Sequence, residues 1–275
     1  MNQTTAAAPP GGAESEGHSD RKAELPFVAP HRELGTFDAF GWLALGWRDF
    51  RTAPRVSLVY GFGVFLVTVL IAWLAYQLGG YVLLLSALSG FVFIAPLLAF
   101  ALYSVSRQIC EGREPSLRRT FRAMRRPLGN AVVFALILLV VFMVWARAGM
   151  MVYVFFPVEG AWTLGDVATF LGVGSAVGCI FATFTFATVA TSLPMLANRE
   201  VDVVTAVVSS INVVLRNKPA MFVWAVTIVL LTLVGFLTAF LGLIVIIPWL
   251  AYATWHSYRA ALDVSAWPIL QEGHR

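Results

Sequence analysis

Long uncharged apolar runs alternate with short amphipathic stretches along most of this chain. Residues 1–35 come before that pattern and have no apolar period. They are rich in Ala, Pro, Gly, Ser and Glu, which predicts a disordered tail. They also lack the basic start and apolar core of a signal peptide. From Thr36 to Pro54, Phe40, Leu43, Trp47 and Phe50 share one helical face, with Arg48, Asp49 and Arg51 off it. Two tryptophans in so short a segment suit a membrane interface, where an amphipathic ring has an apolar body and a wet edge.

The runs after Pro54 are of membrane-crossing length. They predict spans at about 56–78, 81–103, 130–149, 167–191, 220–240 and 243–262, with turns at Gly79-Gly80 and near Gly242. Pro96 and Pro248 kink two of them, because proline removes a donor and clashes with the preceding turn. Gly174 and Gly178, four apart in the fourth span, suit the close approach of a neighbouring helix. Residues 154–166 form the sizeable loop on the far side.

Two further amphipathic stretches separate the pairs of spans. In Arg113 to Pro127, REPSLRRTFRAMRRP, residues Leu117, Phe121, Met124 and Leu128 recur at helical spacing. Arg118, Arg119, Arg122, Arg125 and Arg126 fill the rest of that helix. Such a helix lies flat on a membrane, its stripe in the acyl boundary and its guanidinium groups among anionic headgroups. In 201–215, Val204, Val207, Val208, Ile211, Val214 and Leu215 oppose Asp202, Ser209 and Asn212.

The three units share more than this order. Their junctions read Phe50-Arg51-Thr52-Ala53-Pro54, Met124-Arg125-Arg126-Pro127 and Leu215-Arg216-Asn217-Lys218-Pro219. Their second spans carry Pro96-Leu97-Leu98, Pro194-Met195-Leu196 and Pro248-Trp249-Leu250. Triplication of one hairpin accounts for both recurrences; convergent chemistry at span entrances is the other account.

Composition excludes a soluble domain: 59% of residues are hydrophobic and 12% charged, where an ordinary globular chain has about 25% charged. Of 19 Lys and Arg, all but Arg147 fall on the side that holds both chain ends and the loops 104–129 and 192–219. By the positive-inside rule that side is cytoplasmic and holds both termini. The net charge of +4 therefore reports orientation and anionic lipid, and nucleic acid is not expected.

Candidate chemistry is sparse. Arg147 is the charge within a span, which by default marks a pathway or binding site. From Asn130 it lies about 25 Å along the helix at about 1.5 Å per residue, near the far interface. There it can also snorkel, or meet Glu159 or Asp166. His256 and Arg259 end the last span, in Trp255-His256-Ser257-Tyr258-Arg259. Interfacial anchoring is the favoured role for His256, over proton shuttling or metal binding. Arg259 and Asp263 are spaced to pair on a helix surface. Cys110 and Cys179 form no metal spacing and read as structural. His18, His31 and His274 lie in tails, so haem and copper ligand sets are absent, and no cofactor is expected. No phosphate loop, nucleophile elbow or pair of intramembrane carboxylates is visible either.

The chain resembles a bacterial family of six-span membrane proteins, domain of unknown function 2189. The likeness rests on Asp38-Ala39-Phe40-Gly41-Trp42-Leu43, on Gly46-Trp47-Arg48-Asp49-Phe50, on the kinked second span, and on 248–259, PWLAYATWHSYR. It would cover about residues 36–265. It implies an inner-membrane protein and brings no catalytic residue.

The fold expected is all-α: six transmembrane helices as three hairpins, each preceded by an amphipathic interfacial helix, in a domain at 36–262 with tails at 1–35 and 263–275. The function expected is a non-enzymatic scaffold or complex component of a bacterial inner membrane. Its basic helices would engage anionic lipid or a protein partner. The alternative is a transporter or channel for a small, possibly anionic, solute, with Arg147 and the proline kinks around its path.

Overall fold

Gly79 and Gly80 divide the longest helix of the computed structural model, which describes residues 26–124, 128–155 and 164–270. Among them the chain forms α1 (Asp38–Thr52), α2 (Pro54–Cys110), α3 (Leu117–Met124), α4 (Leu128–Phe155), α5 (Leu164–Val189), α6 (Ser192–Asn198), α7 (Val203–Arg216), α8 (Lys218–Leu237) and α9 (Leu243–Ala261). At the break in α2, Gly80 has φ 59° and ψ −149°, a region that a side chain makes costly. The two halves then lie side by side: the Tyr60 hydroxyl donates to the carbonyl of Leu98 at 2.5 Å.

Among the described residues, five stretches are long and apolar enough to cross a membrane: Pro54–Gly80, Phe93–Cys110, Gly129–Met151, Ala168–Asn198 and Lys218–Leu237. The sequence predicts a sixth at 243–262, the segment that forms α9. That helix stands apart because its last turns, Trp255 to Arg259, are polar. It is also largely enclosed, packed against α2 and α1. The other spans show apolar side chains outward, such as Leu66 and Leu70 on α2, Leu136 and Val140 on α4, and Val229 and Leu233 on α8. In water those surfaces would be a liability; in lipid they are the expected exterior.

The short helices pack in a regular order. α3 leans on α2, α7 on α5 and α6, and α1 on α9. Each amphipathic helix thus meets the second apolar segment of the unit before it, and the first meets the last. Two junctions also share a backbone turn: Ala53 between α1 and α2 has φ −124°, ψ 52°, and Asn217 between α7 and α8 has φ −118°, ψ 42°. The middle junction, 125–127, lies outside the described residues, as does 156–163 of the far-side loop. Pro194 breaks the expected parallel. It sits in α6, beyond the end of α5, whereas Pro96 and Pro248 lie inside α2 and α9.

The faces of α3 and α7 that meet protein include small hydroxyl residues. On α3, Thr120 is fully buried while Phe121 is 57% exposed. On α7, Thr205, Ser209 and Ser210 are buried while Val204 and Leu215 face outward. The stripe read on α7 is divided between the two sides: Val204 and Leu215 face outward, Val207 and Val214 pack half-buried against the core, and Val203, Ala206 and Val213 are buried beside the hydroxyl residues. α7 starts on Asp202, whose carboxylate accepts from the Thr205 N–H at 2.9 Å, an N-cap that satisfies one of the helix's orphan donors. Partial burial pushes that carboxyl up, and the hydrogen bonds from Thr205 outweigh it, so the group sits below its ordinary value.

Residues next to both ends of the described chain pack on the helices. The Ala29 N–H donates to the Ser209 hydroxyl at 2.9 Å, and the Leu34 N–H to Asn217 Oδ1 at 2.9 Å. The Arg32 N–H reaches the Ala261 carbonyl at 2.8 Å. That carbonyl is in the last turn of α9, where the helix itself offers no donor. At the other end Trp267 is 3% exposed, and its carbonyl accepts from the Arg199 guanidinium at 2.8 Å. Residues 29–34 and 264–270 are therefore part of the folded body, held by helix-end groups that need partners.

Candidate functional site

α1 approaches α9 at a glycine. A Cβ built on Gly46 would lie 2.7 Å from the backbone nitrogen of Ala253. One turn before Gly46, the Leu43 carbonyl accepts from Trp249 Nε1 at 2.8 Å. This contact turns α1 away from the orientation expected for an interfacial helix. Its buried residues are Ala39, Trp42, Leu43, Gly46, Asp49 and Phe50. Trp42 meets Trp224 edge-on at 5.7 Å, and Trp47 meets Trp249 at 5.2 Å. The tryptophans read as membrane-interface anchors are protein contacts.

The same rotation carries Asp49 into the core with no exposed surface. Its Oδ2 lies 2.8 Å from His256 Nε2 on α9 and accepts from the Ser106 hydroxyl, near the end of α2, at 2.9 Å. Three helices meet at this one oxygen. His256 is 7% exposed and Ser106 fully buried. With Asp49 ionised, Nε2 must carry the ring proton, so the imidazole donates to the carboxylate. Asp49 Oδ1 is buried without a hydrogen-bond partner among the described residues, so the pairing rests on one oxygen.

These are the residue types of a hydrolase triad in a different order. In that chemistry the imidazole stands between hydroxyl and carboxylate and takes the hydroxyl's proton. Here the carboxylate stands in the middle. It accepts from both neighbours, and no base is aimed at Ser106. The geometry suits a buried latch joining α1, α2 and α9, not a nucleophile. One turn away Tyr252 and Ser57 join α9 to α2 at 2.8 Å. Since the Ser57 hydroxyl donates to the Ala53 carbonyl, the proton between them comes from Tyr252.

The basic helix is fastened nearby. Gln108 at the end of α2 donates to Ser104 and Thr120, and its carbonyl accepts from the Ser116 N–H at 3.2 Å. This orients α3 so that Arg118, Arg119 and Arg122 are exposed around Phe121. Arg125 and Arg126 lie outside the described residues.

The remaining sequence candidates do not converge. Arg147 is exposed on α4. It is not among the residues lining a cavity of about 330 Å³ between α2, α4 and α5, whose walls include Ser89, Phe93, Trp145 and Ser175. Gly174 and Gly178 face that open space with nothing within 4 Å of an added Cβ, so they do not seat a helix within the chain. Glu159 and the side chain of Asp166 lie outside what is described. Arg259 donates to Cys110 Sγ at 3.2 Å. The expected Arg259–Asp263 pair does not form, because α9 ends at Ala261 and Asp263 faces Arg32 at 3.9 Å. His256, expected to be an interfacial anchor, is a core residue. Among the described residues, no three or more His, Cys, Asp or Glu form a group that could hold a metal.

The second part of α2 and all of α3 to α6 lie in the segment that is similar to known sequences. Residues 83–198 match the family described as predicted integral membrane protein, DUF2189. This is the family that the sequence resembles; the match covers less than half of the chain, and its description agrees with the apolar stretches long enough to cross a membrane. The DUF2189 match is narrower than the expected 36–265. It leaves out α1 and α7 to α9, and so both segments that hold Asp49 and His256. Neither a curated protein nor a solved structure matches the chain.

Those two segments carried the only signal that could have found the latch. Gly46 and Asp49 are three apart in one, Ala253 and His256 three apart in the other. A small residue one turn from a polar one, in each of two helices, is the spacing of a close crossing with a buried pair beside it.

Proposed function

We propose that the protein is a non-enzymatic, six-span component of a bacterial inner membrane, built as three hairpins with both termini cytoplasmic, whose basic helix α3 binds anionic headgroups. The observation that carries this reading is the presentation of α3. Thr120 is locked inward by Gln108, while Phe121 and the guanidinium groups of Arg118, Arg119 and Arg122 all face outward. An exposed aromatic ring among arginines is poorly suited to water and well suited to the headgroup boundary. Each arginine contributes about 1 kcal/mol of attraction to an anionic leaflet.

The test is lipid enrichment around the intact protein in bilayer nanodiscs of mixed phosphatidylglycerol and phosphatidylcholine. The wild type is expected to enrich phosphatidylglycerol several-fold at low salt, with the excess falling as salt screens the charges. A variant carrying Arg118→Gln, Arg119→Gln and Arg122→Gln should lose most of that excess. Equal enrichment in both proteins would remove α3 as the binding element.

Orientation has its own reporter. Cys110 is exposed beside the basic loop, and Cys179 is exposed on the apolar α5. A membrane-impermeant maleimide should label Cys110 in inside-out vesicles and leave it unlabelled in right-side-out ones. The opposite pattern would invert the topology.

A further inference from the structure

A second lipid-facing feature lies away from α3 and is independent of it. Between α1 and α8, floored by Trp249 of α9, runs an apolar groove of about 410 Å³. One wall is a row on α8, Phe222, Val226 and Leu230, at successive four-residue steps; the other is Phe40 and Leu43 of α1. Phe40 is 56% and Phe222 70% exposed, so the groove is open to the surrounding lipid.

Its two polar atoms are already used. Thr227 Oγ1 donates to the Val223 carbonyl at 2.7 Å, and Trp249 Nε1 to the Leu43 carbonyl at 2.8 Å. The walls therefore offer hydrocarbon and no hydrogen-bonding group to an occupant. That selects against a polar solute.

The row on α8 is headed by a cation. Lys218 precedes Phe222 by four residues, on the same helix face, and is exposed, as is Arg216 two residues earlier. No acidic residue occurs between 203 and 237. Asp38, at the head of α1, accepts from the Gly35 N–H at 2.8 Å. From Lys218 to Leu230 the helix rises about 18 Å at about 1.5 Å per residue, and one leaflet's hydrocarbon is about 15 Å deep. The groove has the length of one acyl chain and a positive charge where that lipid's headgroup would sit.

We propose that this groove holds one anionic phospholipid, with an acyl chain between α1 and α8 and its phosphate beside Lys218.

The test is native mass spectrometry of the full chain in mild detergent, after washing and re-addition of phosphatidylglycerol or phosphatidylcholine. The wild type is expected to keep one phospholipid and to prefer phosphatidylglycerol about fivefold. Lys218→Glu should abolish the preference and still retain a lipid. Val226→Trp or Leu230→Trp, each placing an indole in the groove from an outward position, should lose the retained lipid with the thermal midpoint unchanged. The triple α3 variant should keep it, which separates this site from the one proposed above. The proposal is overturned if the wild type carries no lipid, if both tryptophan variants retain it, or if the groove's occupant proves to be a second protein chain.

Discussion

Replacing His256 with alanine is expected to destabilise the folded protein by about 3–5 kcal/mol, the loss seen when a buried carboxylate is left without its partner. Asp49 has no exposed surface, and the imidazole and the Ser106 hydroxyl both serve the same carboxylate oxygen. Without His256 the carboxylate keeps one hydroxyl donor in a buried three-helix junction, and desolvation is then largely uncompensated. Asp49→Leu with His256→Leu removes both polar groups and should recover much of the loss, since buried pairs are often replaceable by apolar residues. Ser106→Ala removes one neutral donor to a charged group and should cost about 1.5–3 kcal/mol. Reversible unfolding in mixed micelles, followed by tryptophan fluorescence, would measure all four proteins. A His256→Ala variant within 1 kcal/mol of wild type would show that the latch carries little of the fold, about the size of an exposed pair.

Gly61→Ala should cost at least the upper end of the overpacking range, about 3 kcal/mol. A Cβ there would lie 1.9 Å from the carbonyl oxygen of Ile244, so the backbones of α2 and α9 must separate. A flexible side chain could swing aside; a helix backbone cannot do so locally. Gly63→Ala, two residues on and with nothing within 4 Å, is the control. It should be neutral or stabilising by up to about 1 kcal/mol from helix propensity alone. The same micelle unfolding assay compares them. If Gly61→Ala matches Gly63→Ala, the close packing of α2 on α9 is wrong, and with it the enclosure of α9.

The two sites differ in how legible they were. α3 could be read in advance because everything that makes it amphipathic is local: Phe121 and the arginines repeat at the helix period within eight residues. What the pattern did not say is that Thr120 is its protein-facing residue, because a lone threonine among arginines looks like surface. α7 repeats that lesson with Thr205, Ser209 and Ser210. In a soluble protein the apolar stripe is the buried one, so patterning names the core. In lipid the stripe also has an apolar exterior to face, and small hydroxyl residues can take the protein side.

His256 was misread for a different reason. Its sequence neighbours, Trp255, Tyr258 and Arg259, have the composition of an interfacial girdle, and its partner lies 207 residues away. Nothing local distinguishes an anchoring histidine from one paired across the fold. The ends of the chain carry the same limit. Residues 29–34 have no periodic pattern, and they are ordered because helix-end carbonyls and side chains elsewhere supply their partners.

By itself, then, the sequence determined that this is an all-helical membrane protein, where most of its long helices run, where the chain turns, and which helix is strongly basic. Those properties follow from runs and periods in which each residue's neighbours are a few positions away. Only the tertiary structure decided that α1 closes onto α9, that Asp49 and His256 share one buried contact with Ser106, and that a groove opens between α1 and α8. Gly46 sets how closely α1 approaches α9, and Gly61 how closely α2 does, and that distance is written in no stretch of sequence taken alone.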